Sequence, residues 1–314
     1  MGFKFAMPLL AFPSAEPSAL AQTHARLKAW WNGDAAPQSN LVEAPPIAAL
    51  DPSIPAVPPD MDWTAIHAQA SAAIWGGGRI FPSTLQLENL LITEANGPKA
   101  SRIALFGAGG GALARVISQS TAAKTEIFES DRTLLLLTEG LLKDIKQSKR
   151  FSYHRFDWTP SSLPKGKADS AIFVFQGGGE GSLEAGAFCA ERVLRSGGFC
   201  VWFDMFARKD DETLDPCRGS EGRRFASEEE AIIAFSASGL TVIGDDDWSA
   251  RYLDAYDVAW RDLTINLGIR QAALIKSGGV NAGTSALANL ISWKARHEAI
   301  RSGKITVRRY LLKA

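Results

Sequence analysis

The sequence lacks the cysteine and histidine patterns of disulfide scaffolds and metal sites. Its 314 residues include only three cysteines, Cys189, Cys200 and Cys217, and no two of them form a CxxC pair. The four histidines are scattered, without HExxH or a similar ligand spacing. An odd number of widely spaced cysteines argues against a disulfide framework and favours a reducing compartment. We therefore expect no metal site and a cytoplasmic protein.

Long apolar runs and a surplus of one charge are missing as well. No run of 18 apolar residues occurs, so we expect no membrane span. Lys and Arg together number 34, as do Asp and Glu, so the net charge is zero. Phosphate binding normally needs a surplus of cations on one face, and we therefore expect no nucleic-acid partner. Prolines and Glu16 interrupt the apolar N-terminus, which we interpret as an arm rather than a signal peptide.

The first third of the chain differs in pattern from the rest. Residues 1–99 are predicted to form an N-terminal arm, with short helices at 18–32, 62–75 and 83–95. Seven prolines between residues 33 and 60 predict an extended connector, since proline cannot continue a helix. The arm is thus expected to precede a single larger domain at 100–314.

From residue 100 onward, apolar strands alternate with amphipathic helices. This alternation predicts an α/β fold with a doubly wound, Rossmann-like and mostly parallel sheet covered on both faces. One helix, "LEAGAFCAERVLRSGG", is expected to close at Gly197 and Gly198. Residues 249–302 predict a helical insertion with a glycine-rich break at "KSGGVNAGTS", and "KITVRRYLLK" predicts a final strand. The insertion is expected to lie over the sheet as a lid.

A glycine-rich turn, "ALFGAGGGALAR" at 104–115, joins the first strand to a helix. Such a turn lets the backbone approach a ligand closely, and the helix that follows directs free N–H groups at it. The second strand ends at Glu129, where an acid can reach ribose hydroxyls. The third strand is followed by Asp157 and Trp158, an acceptor for an exocyclic amine and a cover for a purine face. Together they predict a nucleotide-like cofactor.

Residues 102–205 resemble the class I S-adenosylmethionine-dependent methyltransferases, in particular the small-molecule and lipid-type members. The matching pieces are "IALFGAGGGALARVI", "TEIFESDRTLLLLTEG", "FDWTPSSLPKGKADSAIFVF" and "AERVLRSGGFCVWFD". The segment "WGGGRIFPS" is similar to one that precedes the core in those members. The resemblance implies a seven-stranded sheet with an antiparallel last strand, S-adenosylmethionine as cofactor, and methyl transfer to a small-molecule or lipid-like acceptor.

The resemblance also implies a role for each matching residue. Three glycines of the turn would pass under the methionine part of the cofactor: Gly107, Gly109 and Gly111. Glu129 would hold the ribose hydroxyls, and Asp157 would hold the adenine amine with Trp158 beside the ring. Gln176 would stand where the fourth strand opens toward the methyl group.

Candidates for the acceptor side are Trp75, Glu180, Trp248 and Tyr252, all near predicted loops at the strand ends. Their aromatic rings could surround a cationic acceptor. Two of them, Trp75 and Trp248, could equally be packing residues between the arm and the core. The acidic run at 245–248, "DDDW", is better explained as a helix N-cap with two solvated acids than as a cation site.

Two alternatives to a methyltransferase remain open. Leu105 stands where the family usually has an acid, which favours a catalytically inactive scaffold of the same fold. In that case Leu105 should lie in an apolar cluster, and side chains should fill the space above the glycine turn. The turn also satisfies GxGxxA, so an NAD-dependent oxidoreductase is the second alternative.

Overall fold

The computed structural model describes three ranges of the chain: 63–175, 183–208 and 225–314. The chain divides into two units, Met1–Met61 and Asp62–Ala314, and every described residue belongs to the second. The helix predicted at 18–32 and the connector predicted at 33–60 therefore lie outside the described residues.

Eight helices are described within these ranges, and the two predicted before the first strand are confirmed as the first two. They are α1 Trp63–Trp75, α2 Leu85–Glu94, α3 Ala112–Ser120, α4 Arg132–Leu142, α5 Leu183–Val193, α6 Glu228–Ala237, α7 Ser249–Ile265 and α8 Leu267–Arg301. The acidic first turn of α6 forms a capping box, in which Ser227 and Glu230 satisfy each other's backbone N–H groups. No helix of the described ranges is long and apolar enough to cross a membrane.

Seven strands form one sheet, in the spatial order β3-β2-β1-β4-β5-β7-β6. They are β1 Arg102–Phe106, β2 Lys124–Glu129, β3 Phe151–Arg155, β4 Ala168–Val174, β5 Leu194–Ala207, β6 Thr241–Asp247 and β7 Ile305–Lys313. Only β7 runs antiparallel to its neighbours, and it lies between β5 and β6. The prediction of a mostly parallel, doubly wound sheet with an antiparallel last strand is thus confirmed.

One face of the sheet carries a row of stacked rings that we call the aromatic ladder: His154, Phe128, Phe106, Phe173 and Trp202. Each ring belongs to the next strand across the sheet and lies directly opposite its neighbour in register. The centroids of successive rings are 5.0, 4.9, 4.1 and 4.4 Å apart. Such pairs contribute about 0.5–1.5 kcal/mol each beyond the burial of their area, so the ladder fixes the register of five strands.

The helical insertion is tied to α1 by a buried polar network. The indole Nε1 of Trp75 donates to the Asn289 Oδ1 at 2.8 Å, and the Asn289 Nδ2 donates to the Ser71 Oγ at 2.9 Å. A buried hydrogen bond of this kind fixes the relative position of two helices, because either partner left alone would be costly. The insertion therefore packs on α1 of the preceding segment and also contacts the sheet at the carboxyl end of β4.

Two local predictions about the helices are wrong. The helix expected to reach Gly197 and Gly198 ends at Val193, and β5 begins at Leu194. Leu194 lies in register with Ala168 of β4, and the Gly197 N–H donates to the Ala314 carbonyl oxygen at 2.9 Å. The sheet thus takes the backbone hydrogen bonds that a longer helix would need.

The glycine-rich break predicted in the insertion is absent, since α8 runs without interruption from Leu267 to Arg301. Packing along α1, including the Trp75 and Asn289 hydrogen bond, holds this helix together. Helical stability in proteins comes mostly from such tertiary packing, which here overrides the low helix propensity of glycine.

Two helical glycines give opposite expectations for the same substitution. A Cβ at Gly283 in α8 would meet no heavy atom of the described residues within 4 Å. Gly283→Ala should therefore raise the free energy of unfolding by about 0.5–1 kcal/mol. A Cβ at Gly186 in α5 would lie 2.6 Å from the Trp202 ring, so Gly186→Ala should lower it by about 1–3 kcal/mol. Urea unfolding of both variants tests this pair, and a shift in the same direction would contradict it.

Candidate functional site

The glycine turn joins β1 to α3 and is buried along its whole length. Its glycines all adopt left-handed backbone angles: Gly107 φ 71°, Gly109 φ 55°, Gly110 φ 84° and Gly111 φ 101°. These angles are open to glycine and strained for other residues. Because the helix N-cap is Gly111, no side chain caps the first turn of α3. The first N–H groups of that helix are left for a ligand or solvent.

Residues 76–81 lie directly over this turn. A Cβ at Gly110 would lie 2.7 Å from the Gly78 carbonyl oxygen, and a Cβ at Gly109 would lie 3.3 Å from the Ile80 side chain. On the other side, a Cβ at Gly111 would lie 3.1 Å from the Thr138 Cα of α4. Only glycine fits at these positions. The turn is enclosed by residues 76–81 on one side and by α4 on the other.

Glu129 ends β2 beside this turn and is buried, with 4% of its surface exposed. Its Oε1 accepts a hydrogen bond from the Asp131 N–H at 3.2 Å, while Oε2 has no partner among the described residues. Burial raises the pKa of the Glu129 carboxyl to about 7, although the backbone N–H groups of Asp131 and Gly109 oppose the rise. A buried carboxylate oxygen without a donor is suited to accept from a ligand hydroxyl.

Asp157 and Trp158 follow β3 but have different surroundings. Asp157 is exposed, and hydrogen bonds from Thr159 lower the pKa of its carboxyl. Trp158 is buried in a left-handed conformation with φ 61° and packs on Phe156 with ring centroids 4.8 Å apart. Its Nε1 lacks a hydrogen-bond partner within the described part of the chain. Asp157 is thus open to a ligand, while Trp158 belongs to the core.

The topology brings the predicted cofactor residues to one edge of the sheet. β1, β2 and β3 are neighbours and parallel, so the glycine turn, Glu129 and Asp157 follow three adjacent strand ends. Ligands of doubly wound sheets bind at this edge. Gln176 and Glu180 lie outside the described residues.

The three described candidates for the acceptor side are all buried. Trp75 makes its hydrogen bond to Asn289 and so joins α1 to the insertion. Trp248 precedes α7, with the Arg251 guanidinium 4.7 Å from its ring centroid. Tyr252 packs edge-on against Phe175, with centroids 5.3 Å apart. Trp75 is a packing residue here, whereas Tyr252 lies at the carboxyl end of β4.

The acidic run at 245–248 is engaged with the neighbouring strand. Asp245 pairs with Arg308, and Asp246 pairs with Arg309, across β6 and β7. The Asp247 carboxylate accepts from the backbone N–H two residues further on, at the start of α7. The first two acids are therefore exposed, as expected, and also form cross-strand ion pairs. The described ranges contain no cluster of three or more metal-ligating side chains.

Sequence reasoning missed an aromatic group at the end of β4. Phe175 has a left-handed φ of 53° and contacts Phe81 and Trp293 at centroid distances of 4.8 and 5.8 Å. The sequence feature that could have identified Phe175 is its position after the apolar run of the fourth strand, directly before Gln176 and three glycines.

Leu105 is fully buried in the middle of β1. It lies in register with Ile127 of β2 and Ile172 of β4, and strand alternation puts it on the face opposite Phe106. Leu105, which stands where the methyltransferases that the sequence resembles usually have an acid, thus has apolar neighbours on both sides, as the scaffold alternative requires.

An acid at position 105 should destabilise the protein. Leu105→Asp would bury a carboxylate between two isoleucines, and we expect a loss of at least about 3 kcal/mol in the free energy of unfolding. Leu105→Ile, which keeps the apolar contact, should cost less than about 1.5 kcal/mol. Urea unfolding measures both values. A Leu105→Asp protein as stable as the wild type would contradict this expectation.

The burial of Glu129 should make stability depend on pH. Its pKa of about 7 lies above the ordinary value of 4.5, so the wild type loses stability as the pH rises through about 7. Relative to wild type, Glu129→Gln should gain up to about 3 kcal/mol between about pH 4.5 and pH 8. Urea unfolding without ligand measures this, with Glu126→Gln on the same strand as the control. A difference that does not change with pH would count against it.

No family model matches the chain, and no curated protein matches it in sequence. Solved structures do match it in fold. A putative sarcosine dimethylglycine methyltransferase from Galdieria sulphuraria superposes with a TM-score of 0.64 at 13% identity, covering 79% of this chain and 97% of that one. A cyclopropane synthase from Mycobacterium tuberculosis gives 0.62 at 11% identity, covering 81% and 99%.

A third match is a phosphoethanolamine N-methyltransferase 2 from Haemonchus contortus, in complex with S-adenosylhomocysteine. Its TM-score is 0.66 at 14% identity, and the match covers 80% of this chain and 57% of that one. At sequence identities this low, the matches establish the fold alone. The chain therefore has the fold of the class I S-adenosylmethionine-dependent methyltransferases, as the sequence resemblance implied.

Proposed function

We propose that the protein binds S-adenosylmethionine and transfers its methyl group to a small-molecule or lipid-like acceptor. The observation that carries the proposal is the Glu129 carboxylate, buried at the end of β2 with Oε2 unpartnered among the described residues. Its position beside the glycine turn suits an acceptor of ribose hydroxyl hydrogen bonds. The matched methyltransferase structures support this reading at the level of fold.

The residues present fit the cofactor at several points. Glu129 would accept from the ribose hydroxyls, and the exposed Asp157 carboxylate would accept from the adenine amine. The glycine turn and the uncapped first turn of α3 would receive the methionine end, where backbone N–H groups favour a carboxylate. Trp158 would support this region from the core rather than cover the ring directly.

When bound, S-adenosylmethionine supplies a methyl group on a sulfonium, which an acceptor can displace in line. The protein then contributes orientation and exclusion of water. Tyr252 from α7 and Trp293 from α8 cover the carboxyl end of β4, so the insertion can shield that region from solvent. A general base is needed only where the acceptor must lose a proton.

Leu105 sets a limit on the affinity. The usual acid would bond the cofactor's ammonium, and losing a hydrogen bond to a charged group costs about 1.5–3 kcal/mol. This corresponds to roughly ten- to a hundred-fold weaker binding. We expect S-adenosylmethionine to bind this chain more weakly than it would bind a site with an acid at position 105.

A second candidate function is a catalytically inactive scaffold. Two observations favour it: the apolar surroundings of Leu105, and the enclosure of the glycine turn by Ile80 and the Gly78 carbonyl. The NAD-dependent alternative has less support, because an antiparallel β7 lies between β5 and β6, whereas the classic dinucleotide-binding sheet has the strand order 3-2-1-4-5-6.

Calorimetric titration with S-adenosylhomocysteine, with NAD as the comparison ligand, separates these functions. We expect S-adenosylhomocysteine to bind and NAD not to bind. Glu129→Ala should weaken binding by about 1.5–3 kcal/mol, since hydroxyl-to-carboxylate hydrogen bonds are lost. Glu126→Ala, on the same strand but with 23% of its side chain exposed, should leave the affinity unchanged.

The titration should also depend on pH through Glu129. The ionised carboxylate is the better acceptor, so wild-type affinity should fall as the pH drops below about 7, by up to about ten-fold per unit. Glu129→Ala should remove this dependence. A folded wild-type protein that fails to bind S-adenosylhomocysteine at about pH 8 would support the scaffold instead.

A further inference from the structure

Five aromatic side chains meet at the carboxyl end of β4, and we call them the Phe175 cluster: Phe81, Phe175, Phe203, Tyr252 and Trp293. The Phe175 ring is central, with centroid distances of 4.8 Å to Phe81, 5.1 Å to Phe203, 5.3 Å to Tyr252 and 5.8 Å to Trp293. The members come from the segment before the sheet, from β5 and from both insertion helices. No single element accounts for their convergence.

The backbone of Phe175 is unusual for a bulky residue. Its φ of 53° lies in the left-handed region, which is sterically unfavourable for a side chain of this size. The Phe175 N–H donates to the Phe203 carbonyl oxygen at 2.8 Å, which holds this conformation against β5. Strained backbone that the surrounding structure enforces clusters at ligand sites. The left-handed backbone at Phe175 therefore points to a role in positioning its ring for a ligand.

The cluster is partly open and adjoins the glycine turn. Phe175 and Phe81 are half-buried, whereas Phe203, Tyr252 and Trp293 are buried beneath them. A Cβ at Gly109 would lie 3.7 Å from the Phe81 ring, so the open rings stand next to the proposed cofactor site. Two half-buried aromatic rings packed on buried ones thus form an apolar surface beside the proposed cofactor site.

Two arginine side chains lie over the rings of tryptophans next to this surface. The Arg296 guanidinium lies 4.6 Å from the Trp293 ring centroid, and the Arg251 guanidinium lies 4.7 Å from that of Trp248. Trp248 in turn packs on Phe203 at 5.8 Å. These positive charges would repel a quaternary ammonium, which aromatic sites otherwise bind well. The local charge therefore disfavours a cationic ligand.

We propose that the Phe175 cluster binds the methyl acceptor through a flat, uncharged apolar group, such as an aromatic ring or a conjugated chain. This inference rests on the proposed function, which it narrows from any small or lipid-like acceptor to one class. Phe175 and Phe81 contact the acceptor as specificity-determining residues, and the buried members of the cluster hold them in place. Aromatic pairs prefer offset or edge-to-face contacts, which the two half-buried rings can offer.

The test uses the full chain saturated with S-adenosylhomocysteine and three probes in calorimetric titration. The probes are 2-naphthol, which is flat and uncharged, decahydro-2-naphthol, which has the same number of heavy atoms but is not flat, and choline, which is cationic. We expect 2-naphthol to bind at least about ten-fold more tightly than either of the others. Phe175→Leu and Phe81→Leu should each weaken 2-naphthol binding by about three- to ten-fold.

Phe151→Leu is the matched control, because Phe151 is a buried ring at the start of β3, outside the cluster. It should leave 2-naphthol binding unchanged. Phe175→Gly provides a second variant that accepts the left-handed backbone without strain, so a folding defect in Phe175→Leu does not decide the result. Circular dichroism verifies that each variant is folded.

Two outcomes would overturn the inference. Choline binding as tightly as 2-naphthol would contradict the ligand class, and 2-naphthol binding that survives both Phe175 variants would contradict the site. S-adenosylhomocysteine is titrated separately on the same proteins. Its failure to bind the folded wild type would contradict the proposed function and the acceptor assignment with it. Normal S-adenosylhomocysteine binding beside Phe175-independent 2-naphthol binding would overturn the acceptor assignment alone.

Discussion

The aromatic ladder is the constraint on which the rest of the sheet depends. Its five rings lie directly opposite one another from β3 to β5, with centroids 4.1–5.0 Å apart. Because strand side chains alternate between faces, a slip of one residue in any strand would move its ring to the opposite face. The ladder therefore fixes five strands in one register, and β1 to β4 end at or one residue after their ladder rings.

The candidate site is a consequence of that register. Gly107 follows the ring of Phe106, and Glu129 follows the ring of Phe128, so the turn and the carboxylate meet at one edge. Phe175 stands two residues after Phe173 and reaches the same edge from β4. The core thus sets the spacing between the proposed cofactor and acceptor sites, although none of its rings belongs to either site.

The sequence allowed the fold to be predicted where a local pattern determines the structure. Apolar strands, the glycine turn and the acid at Glu129 could all be identified from spacing. The continuous helix α8 could not, because contacts to α1 distant in the chain override its glycines. The same holds for the ion pair of Asp246 with Arg309. At the site, the burial of Glu129 and the convergence on Phe175 depend on elements far apart in sequence.

Glu129 and Leu105 lie on the same face of the sheet, but burial has opposite effects on their contributions to stability. Leu105 is stabilised by apolar neighbours, whereas burial of Glu129 raises its pKa to about 7 and costs free energy at neutral pH. In a scaffold that binds nothing, no hydroxyl would offset that cost. The segment enclosing the turn begins with three left-handed glycines at 76–78, whose backbone has little steric hindrance to rearrangement. Displacing Ile80 from above Gly109 disturbs apolar contacts, while a protein without a ligand leaves the buried Glu129 Oε2 without a donor. An unsatisfied buried carboxyl oxygen is costly unless a ligand supplies the donor, and for this reason the Glu129 carboxyl favours a ligand-binding protein.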